Sequence, residues 1–407
     1  MPNTPWRTND YFVSPWDYAP EVTKDFKFAK QIKIHDVTLR DGEQQAGMEF
    51  RKDDKIRIAE ALAEAGVHRI EAGMPAVSPQ DADAIKEIVK RNLGPEIFAF
   101  SRCMVEDVKR AVDTGVKGVV MEVPSSEHIV KYAYRWPMEK AIQTTIESTQ
   151  YARSQGLYVV FFPIDSTRAD MNWYLDLIVK IATEGHMDAL AVVDTFGVTT
   201  PHAMSYLIKK TKERIHKPLE THFHSDFGMG VANTIMALAE GAEVMHTTVL
   251  GVGERAGNAC MEETVMALKT MYNIDLGIKL DKLYHLSKVV AELSGQRVPQ
   301  NKPVVGDQLF NVESGIIASW VKNTGDEYLT EVFPFRPAMV GQGPLRIVYG
   351  KGSGIDTVGI FLEQMGKTAT EPQRMDILMR LKMASLERKG LLTKDEFSAI
   401  VGEVLGQ

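Results

Sequence analysis

Short apolar runs alternate with helix-length segments along this chain, and the alternation begins near residue 31. In the segment 52–65, Ile58, Leu62 and Ala65 lie at helical spacing. Gly66 follows directly and is a helix stop signal. The apolar runs between such segments predict eight strands, at 32–37, 69–72, 97–100, 118–123, 158–162, 189–193, 219–223 and 244–249.

Eight strand–helix units of about 30 residues each predict an α/β fold, a (β/α)8 TIM barrel. A doubly wound open sheet is the alternative that the same rhythm allows. We place the barrel at 31–275, after an N-terminal arm over 1–30 that is rich in aromatic residues and proline. The alternation then stops, and 276–407 is predicted to be mainly helical, with a helix near 280–293 and two more within 376–404.

Composition excludes several classes of protein. There are 47 Lys and Arg against 54 Asp and Glu, a net charge of −7, so we expect neither a nucleic-acid partner nor binding to an anionic membrane. Two cysteines cannot form a disulfide framework and suit a reducing compartment. No secretory signal or long apolar stretch occurs, so we expect a cytoplasmic enzyme.

Polar side chains follow most of the predicted strands. Functional residues of a parallel barrel gather at the carboxyl ends of its strands, so these side chains are expected to meet. They are Arg40 and Asp41 after the first strand, Glu71 after the second, His128 after the fourth, Asp165 and Arg168 after the fifth, and Asp194 and Thr195 after the sixth.

The seventh strand is the most informative. His222 and His224 are two residues apart, so both imidazoles lie on the same face of a strand. With the carboxylate of Asp41 they form a ligand set for a divalent metal, Mg²⁺, Mn²⁺ or Zn²⁺, and Asn258 can add an amide oxygen. Two histidines satisfied by neighbouring side chains in a barrel mouth are the alternative.

This ligand set predicts a reaction at a carbonyl group. A hard metal with open positions suits a 2-oxo acid or 2-hydroxy acid, which can chelate it and be polarised by it. Arg40 is permanently charged and can stabilise an enolate or a carboxylate. Together these residues indicate the making or breaking of a carbon–carbon bond next to a carbonyl.

The motifs resemble a known family. They include TLRDGEQ (38–44), IEAGMP (70–75), DTFGVTTP (194–201), HFHSDFGMGVANT (222–234), GERAGN (253–258) and GKGSG (350–354). In this order they are similar to the DRE-TIM metallolyase superfamily, and most to its Claisen-condensing branch of 2-isopropylmalate, homocitrate and citramalate synthases. The resemblance covers about 31–355. It implies an acyltransferase that condenses acetyl-CoA, or a related acyl-CoA, with a 2-oxo acid.

The resemblance also implies roles for individual residues. Asp41, His222 and His224 match the metal ligands, with Asn258 as a fourth. Arg40 matches the arginine that stabilises the enolate, and Glu71 the carboxylate beside it. Thr195 lies where the family binds the substrate carboxylate. The remaining matched positions are assigned to substrate binding or catalysis: Asp165, Arg168, His128 and Glu313.

Two departures from the family pattern leave the general base open. The synthases usually read HESGIH after the barrel, whereas Val312 and Ile317 replace both histidines here. Ile164 also stands where the fifth strand usually ends in glutamate. The remaining candidates are His128, Asp165, Glu313 and Tyr349.

Two other functions stay open. A lyase would run the reverse chemistry on a 3-hydroxyacyl-CoA or a 2-hydroxy acid with the same metal and arginine. An inactive barrel kept as a binding subunit would not need this cluster of buried polar groups. We also expect a homodimer, as the resemblance implies, and no leucine-regulatory domain.

Overall fold

The computed structural model describes residues 4–406, in which the chain forms two compact units. One unit spans Trp16–Val298 and contains a closed barrel of eight parallel strands in sequential order. The strands are β1 (Lys33–Asp36), β2 (Arg69–Glu71), β3 (Glu96–Arg102), β4 (Gly118–Pro124), β5 (Tyr158–Ile164), β6 (Ala189–Asp194), β7 (Leu219–Phe223) and β8 (Val244–Thr247).

Ten helices belong to the described part of this unit. They are α1 (Pro20–Thr23), α2 (Lys52–Ala65), α3 (Pro79–Arg91), α4 (Val105–Val112), α5 (Met138–Ser154), α6 (Met171–Glu184), α7 (Pro201–Arg214), α8 (Gly230–Ala239), α9 (Met261–Met271) and α10 (Leu283–Ser294). Local signals set several of their ends. Ser78 caps α3 by accepting from the backbone N–H of Asp81, and Gly66 ends α2 at φ +93°.

The predicted barrel is confirmed, and the open sheet is excluded because β1 pairs in parallel with β8, Lys33 opposite Val244. The observed strands lie within two residues of the predicted ones at both ends. The last strand is shorter than predicted because the chain turns into a 3-10 segment at Val249–Gly251, where Leu250 adopts φ +62°.

The second unit contains the residues up to Pro15 and those from Pro299 onward. It holds the short parallel pair β9 (Asn311–Val312) and β10 (Arg346–Ile347), and four helices: α11 (Gly315–Thr324), α12 (Ile355–Gln364), α13 (Glu371–Arg388) and α14 (Lys394–Leu405). The mainly helical C-terminal region is thus confirmed. The predicted boundaries at residues 30 and 275 stay predictions. No helix in the described chain is long and apolar enough to cross a membrane.

Charged side chains lie inside the barrel as well as at its mouth. Arg69 of β2 contacts Glu220 of β7 at 2.8 Å, and Glu220 contacts His246 of β8 at 2.7 Å. The guanidinium of Arg69 also lies 4.9 Å from the ring centres of Phe98 and Tyr158. Because Glu220 is fully buried, its charge depends on these partners.

We predict that Arg69→Ala lowers the free energy of unfolding by about 3 to 5 kcal/mol, because it leaves Glu220 ionised in the interior with a single partner. Urea unfolding followed by circular dichroism measures the change. The control is Arg57→Ala, which breaks an exposed pair with Glu292 and should cost less than about 1 kcal/mol. Equal losses in the two variants would contradict the prediction.

Candidate active site

Three ligand-type side chains converge at the carboxyl end of the barrel. Asp41 follows β1, His222 belongs to β7, and His224 directly follows that strand. One ligand atom from each lies within 4.8 Å of the other two. Nε2 of His222 is 3.4 Å from Oδ2 of Asp41, and Nε2 of His224 is 3.9 Å from Oδ1. The structure therefore brings the three predicted metal ligands together.

Several polar atoms at this point have no hydrogen-bond partner in the described chain. Nε2 of His222, Nδ1 of His224 and Oδ1 of Asn258 are all buried and unpaired. Burial lowers the pKa of His222 to about 3, so its imidazole is neutral at physiological pH. Burial alone would raise the pKa of Asp41, but Arg40 and the histidines hold it well below its usual range. Neutral imidazoles, a carboxylate and an unpaired amide oxygen fit a divalent cation.

Asn258 is oriented by its amide nitrogen. Nδ2 donates to Oδ1 of Asp41 at 2.8 Å and to the carbonyl oxygen of Val252 at 3.1 Å. This arrangement requires glycine at position 253, because φ there is +145° and a Cβ would lie 2.2 Å from Nδ2 of Asn258. The amide oxygen of Asn258 is left without a partner in the described chain, and its role as a fourth metal ligand stays a prediction.

Two of the three guanidinium nitrogens of Arg40 have acidic partners, and the third has none in the described chain. Its Nε donates to Glu71 and its Nη1 to Asp41, while Nη2 is buried without a partner in the described chain. The guanidinium carbon lies 4.0 Å from the ring centre of Phe100. Burial opposes ionisation of Glu71, but Arg40 and His35 outweigh it and lower its pKa to about 2. Glu71 is therefore ionised at physiological pH and holds the guanidinium of Arg40 in position.

His128, Asp165 and Arg168 form a separate cluster at the ends of β4 and β5. The carboxylate of Asp165 accepts from Arg168 at 2.7 and 3.0 Å and from Ser126 at 2.6 Å, and lies 2.9 Å from Nε2 of His128. Its oxygens are therefore occupied. The backbone N–H of Asp165 donates to Oγ1 of Thr195 at 2.8 Å, which connects this cluster to the metal-ligand group.

Thr195 lines a cavity of about 150 Å³ together with Arg40, Asp41, His222 and His224. The structure thus gathers the residues predicted for metal and carboxylate binding around one space. Asp194, by contrast, accepts from the hydroxyl of Thr167 and from the backbone of the loop that follows it. Asp194 therefore stabilises the turn that follows β6.

Glu313 and Tyr349 belong to the other unit. The carboxylate of Glu313 accepts from the backbone N–H of Gly352 at 2.7 Å. The ring of Tyr349 packs against those of Phe361 and Phe397, at 4.0 and 4.8 Å between centroids. Tyr349 therefore contributes to the core of its helical unit.

Sequence reasoning missed the residues behind the metal ligands. Nδ1 of His222 lies 3.3 Å from Nδ1 of His246, whose Nε2 lies 2.7 Å from Glu220. His35 stacks on His246, and it forms a second ligand-type group with His246 and Glu220, although Glu220 is already paired there with Arg69 and His246. The sequence signal that could have identified these residues is a charged or imidazole side chain inside a short apolar strand.

Comparison with known proteins identifies the family of this chain. The family model described as HMGL-like matches residues 31–290. The chain belongs to the HMGL-like family. It is 41% identical to a probable 2-isopropylmalate synthase of Ignicoccus hospitalis, over 92% of this chain and 93% of that protein. It is 38% identical to a homocitrate synthase of Methanothermobacter thermautotrophicus, over 97% of this chain and 98% of that one. An (R)-citramalate synthase of Methanocaldococcus jannaschii is 39% identical, over 92% of this chain and 75% of that protein.

Solved structures share the barrel of this family member. The crystal structure of the HMG-CoA lyase of Bacillus subtilis superposes with a TM-score of 0.61 at 22% identity, over 67% of this chain and 96% of the lyase. At this identity the likeness shows the fold alone. The resemblance of the sequence to the condensing branch is supported by the names of the more similar relatives.

We predict that His246 controls metal affinity through the proton on His222. For Nε2 of His222 to bind a cation, the ring proton must sit on Nδ1 and be donated to His246, which in turn donates from Nε2 to Glu220. His246→Phe removes this acceptor and should weaken Mn²⁺ binding about 10- to 100-fold, measured by titration calorimetry.

His246→Asn is the matched variant for this prediction. Its amide oxygen can take the place of Nδ1 as acceptor, so it should recover most of the Mn²⁺ affinity. If the Phe and Asn variants both bind Mn²⁺ as the unmodified protein does, His246 does not orient the ligand.

Proposed function

We propose that this chain is a divalent-metal-dependent acyltransferase that condenses acetyl-CoA, or a related acyl-CoA, with a 2-oxo acid to give a 2-hydroxy dicarboxylic acid. The observation that carries the proposal is the convergence of Arg40, Asp41, His222 and His224 around one cavity, with unpaired polar atoms of these residues at that site. The names of the relatives, 2-isopropylmalate, homocitrate and citramalate synthases, support the same reaction.

Asp41, His222, His224 and Asn258 would hold the metal, and the metal when bound would supply Lewis-acid polarisation of the ketone. Arg40 has Nη2 available for an anionic oxygen, because its other donors are engaged by Glu71 and Asp41. A buried guanidinium held in this way stabilises an enolate oxygen without reorganising.

Thr195 and the neighbouring cluster would bind and orient the substrate. Oγ1 of Thr195 accepts from the backbone of Asp165, so its own hydroxyl proton can be donated to a substrate carboxylate. Arg168 holds Asp165 in place and adds positive charge at this side.

His128 is the acid–base candidate that the barrel itself provides. Nε2 of its imidazole lies 2.9 Å from the carboxylate of Asp165, which orients the ring, and the side chain is 41% exposed. Glu313 remains a second candidate for proton transfer.

We predict that the purified protein, given Mg²⁺ or Mn²⁺, acetyl-CoA and a panel of 2-oxo acids, releases free CoA with a subset of these acids. Release is followed with a thiol reagent. His224→Ala should lower kcat about 100-fold or more, because it removes a metal ligand. The control is His202→Ala, an exposed residue of α7, which should leave kcat unchanged.

The opposite reaction would contradict this proposal. If no oxo acid promotes CoA release, while a 3-hydroxyacyl-CoA is cleaved in a manner that needs His224, the protein is a lyase. If Mn²⁺ does not bind at all in titration calorimetry, the barrel serves as a binding subunit.

We further expect a cytoplasmic homodimer, as the resemblance to the condensing enzymes implies. Both cysteines, Cys103 and Cys260, are buried and stand outside any disulfide in the described chain, which suits a reducing compartment. Light scattering after size-exclusion chromatography should give twice the chain mass of 45.4 kDa, and a mass of one chain would contradict the expectation.

A further inference from the structure

The cavity beside the candidate metal ligands has an aromatic side and, besides Asp41, two acidic residues, Glu122 and Glu254, of which Glu254 pairs with Arg255. Phe100 and Phe162 line it and pack edge to face, 5.6 Å between centroids. Glu122 of β4 lines the same cavity. A cavity of about 150 Å³ accommodates a molecule of the size of benzene, which suits a 2-oxo acid with a short side chain.

Glu122 occupies a position that is otherwise apolar. It lies next to Phe162 in the pairing of β4 with β5, and two residues from Val120, which belongs to the apolar cluster inside the barrel. Every other residue of β4, Gly118–Pro124, is apolar. A carboxylate in such a place is costly unless a partner satisfies it, so its partners are informative.

Glu122 has one partner that donates a hydrogen bond. The hydroxyl of Tyr134, at the end of the π-helical turn Ile129–Tyr134, donates to Oε1 at 2.9 Å. Oε2 has no hydrogen-bond partner within residues 4–406. The nearest cation along the sheet is Arg102, opposite Glu122 on β3, but its guanidinium is engaged by Asp107 at 2.6 and 3.1 Å.

The charge of Glu122 is therefore poorly compensated. Burial raises the pKa of Glu122, against the Tyr134 hydrogen bond and the positive charge of Arg40, which lower it. A ligand that brings a hydrogen-bond donor into the cavity would give Oε2 of Glu122 the partner that it lacks within the described residues.

We propose that Glu122 selects the side chain of the 2-oxo acid, favouring one that ends in a hydrogen-bond donor, such as a hydroxyl group, over one that ends in a methyl group or a carboxylate. This inference rests on the proposed condensation. The ketone and carboxylate of the substrate would lie at the metal ligands, Arg40 and Thr195, and its side chain would lie along Phe100 and Phe162 toward Glu122.

Each alternative side chain meets a physical cost. A methyl group would bury Oε2 of Glu122 without giving it a donor, which is the kind of loss that lets polar sites reject apolar analogues strongly. A second carboxylate would place two like charges together. A hydroxyl group avoids both costs and leaves Tyr134 on Oε1.

The preference is measured first by binding alone. Titration calorimetry of the full chain with Mg²⁺ and without acyl-CoA compares 4-hydroxy-2-oxobutanoate, 2-oxopentanoate and 2-oxoglutarate. The first two have the same number of non-hydrogen atoms and differ only in a terminal hydroxyl or methyl group. We expect the hydroxy acid to bind about 10- to 100-fold more tightly than either of the others.

Variants assign the preference to Glu122. Glu122→Leu should abolish it or reverse it in favour of 2-oxopentanoate. Glu122→Gln, which keeps the shape if the leucine variant does not fold, should tighten 2-oxoglutarate binding about tenfold by removing the negative charge. The control is Glu127→Gln, which removes an exposed carboxylate from the loop after β4 and should leave the preference unchanged.

Turnover separates this inference from the proposed reaction. Preferential binding of the hydroxy acid without any CoA release would support the selectivity and contradict the condensation. The inference is overturned if 2-oxopentanoate or 2-oxoglutarate binds as tightly as the hydroxy acid. It is also overturned if both Glu122 variants slow CoA release equally for every acid and leave binding unchanged, because Glu122 would then act in proton transfer.

Discussion

The ion pair between Arg40 and Asp41 determines the geometry of the candidate active site. Both side chains are buried, and against the effect of burial Arg40 and the histidines hold the pKa of Asp41 well below its usual range. Glu71 completes the arrangement on the far side of the guanidinium. Because these contacts use two of the three guanidinium nitrogens of Arg40, the third nitrogen is left for an anionic oxygen. The charges that hold the site together therefore also determine where a substrate can bind.

Buried ion pairs and hydrogen bonds also occur inside the barrel. Arg69, Glu220 and His246 form a buried chain of contacts that ends at His222, a candidate metal ligand. Each member satisfies the next, and removing one would leave a buried charge or ring nitrogen unpaired. The stability of the barrel and the orientation of His222 for a cation thus depend on the same contacts. This is why polar residues occur in strands that are buried on both faces.

Two sides of the cavity have different chemistry. The candidate metal ligands, Arg40 and Thr195 present groups that, in the reaction we propose, would recognise the part common to all 2-oxo acids. Phe100, Phe162 and Glu122 form the side that can distinguish one side chain from another. In the condensing reaction that we propose, the first side would perform the chemistry and the second would choose the substrate. Ile164, which lines the cavity and packs against the cluster of Phe100 and Phe162, adds to the apolar character of this second side.

The sequence alone determined the barrel and indicated the two candidate ligand histidines, because both depend on short-range patterns: strand–helix periodicity, Gly66 at a helix end, and two histidines with the strand period of two. It did not single out His246 or Glu122. Their positions depend on which strands become neighbours and on their register, which bring His246 to His222 and Glu122 beside Phe162. Only the tertiary structure decides such pairings, because contacts between residues distant in the chain carry no local pattern.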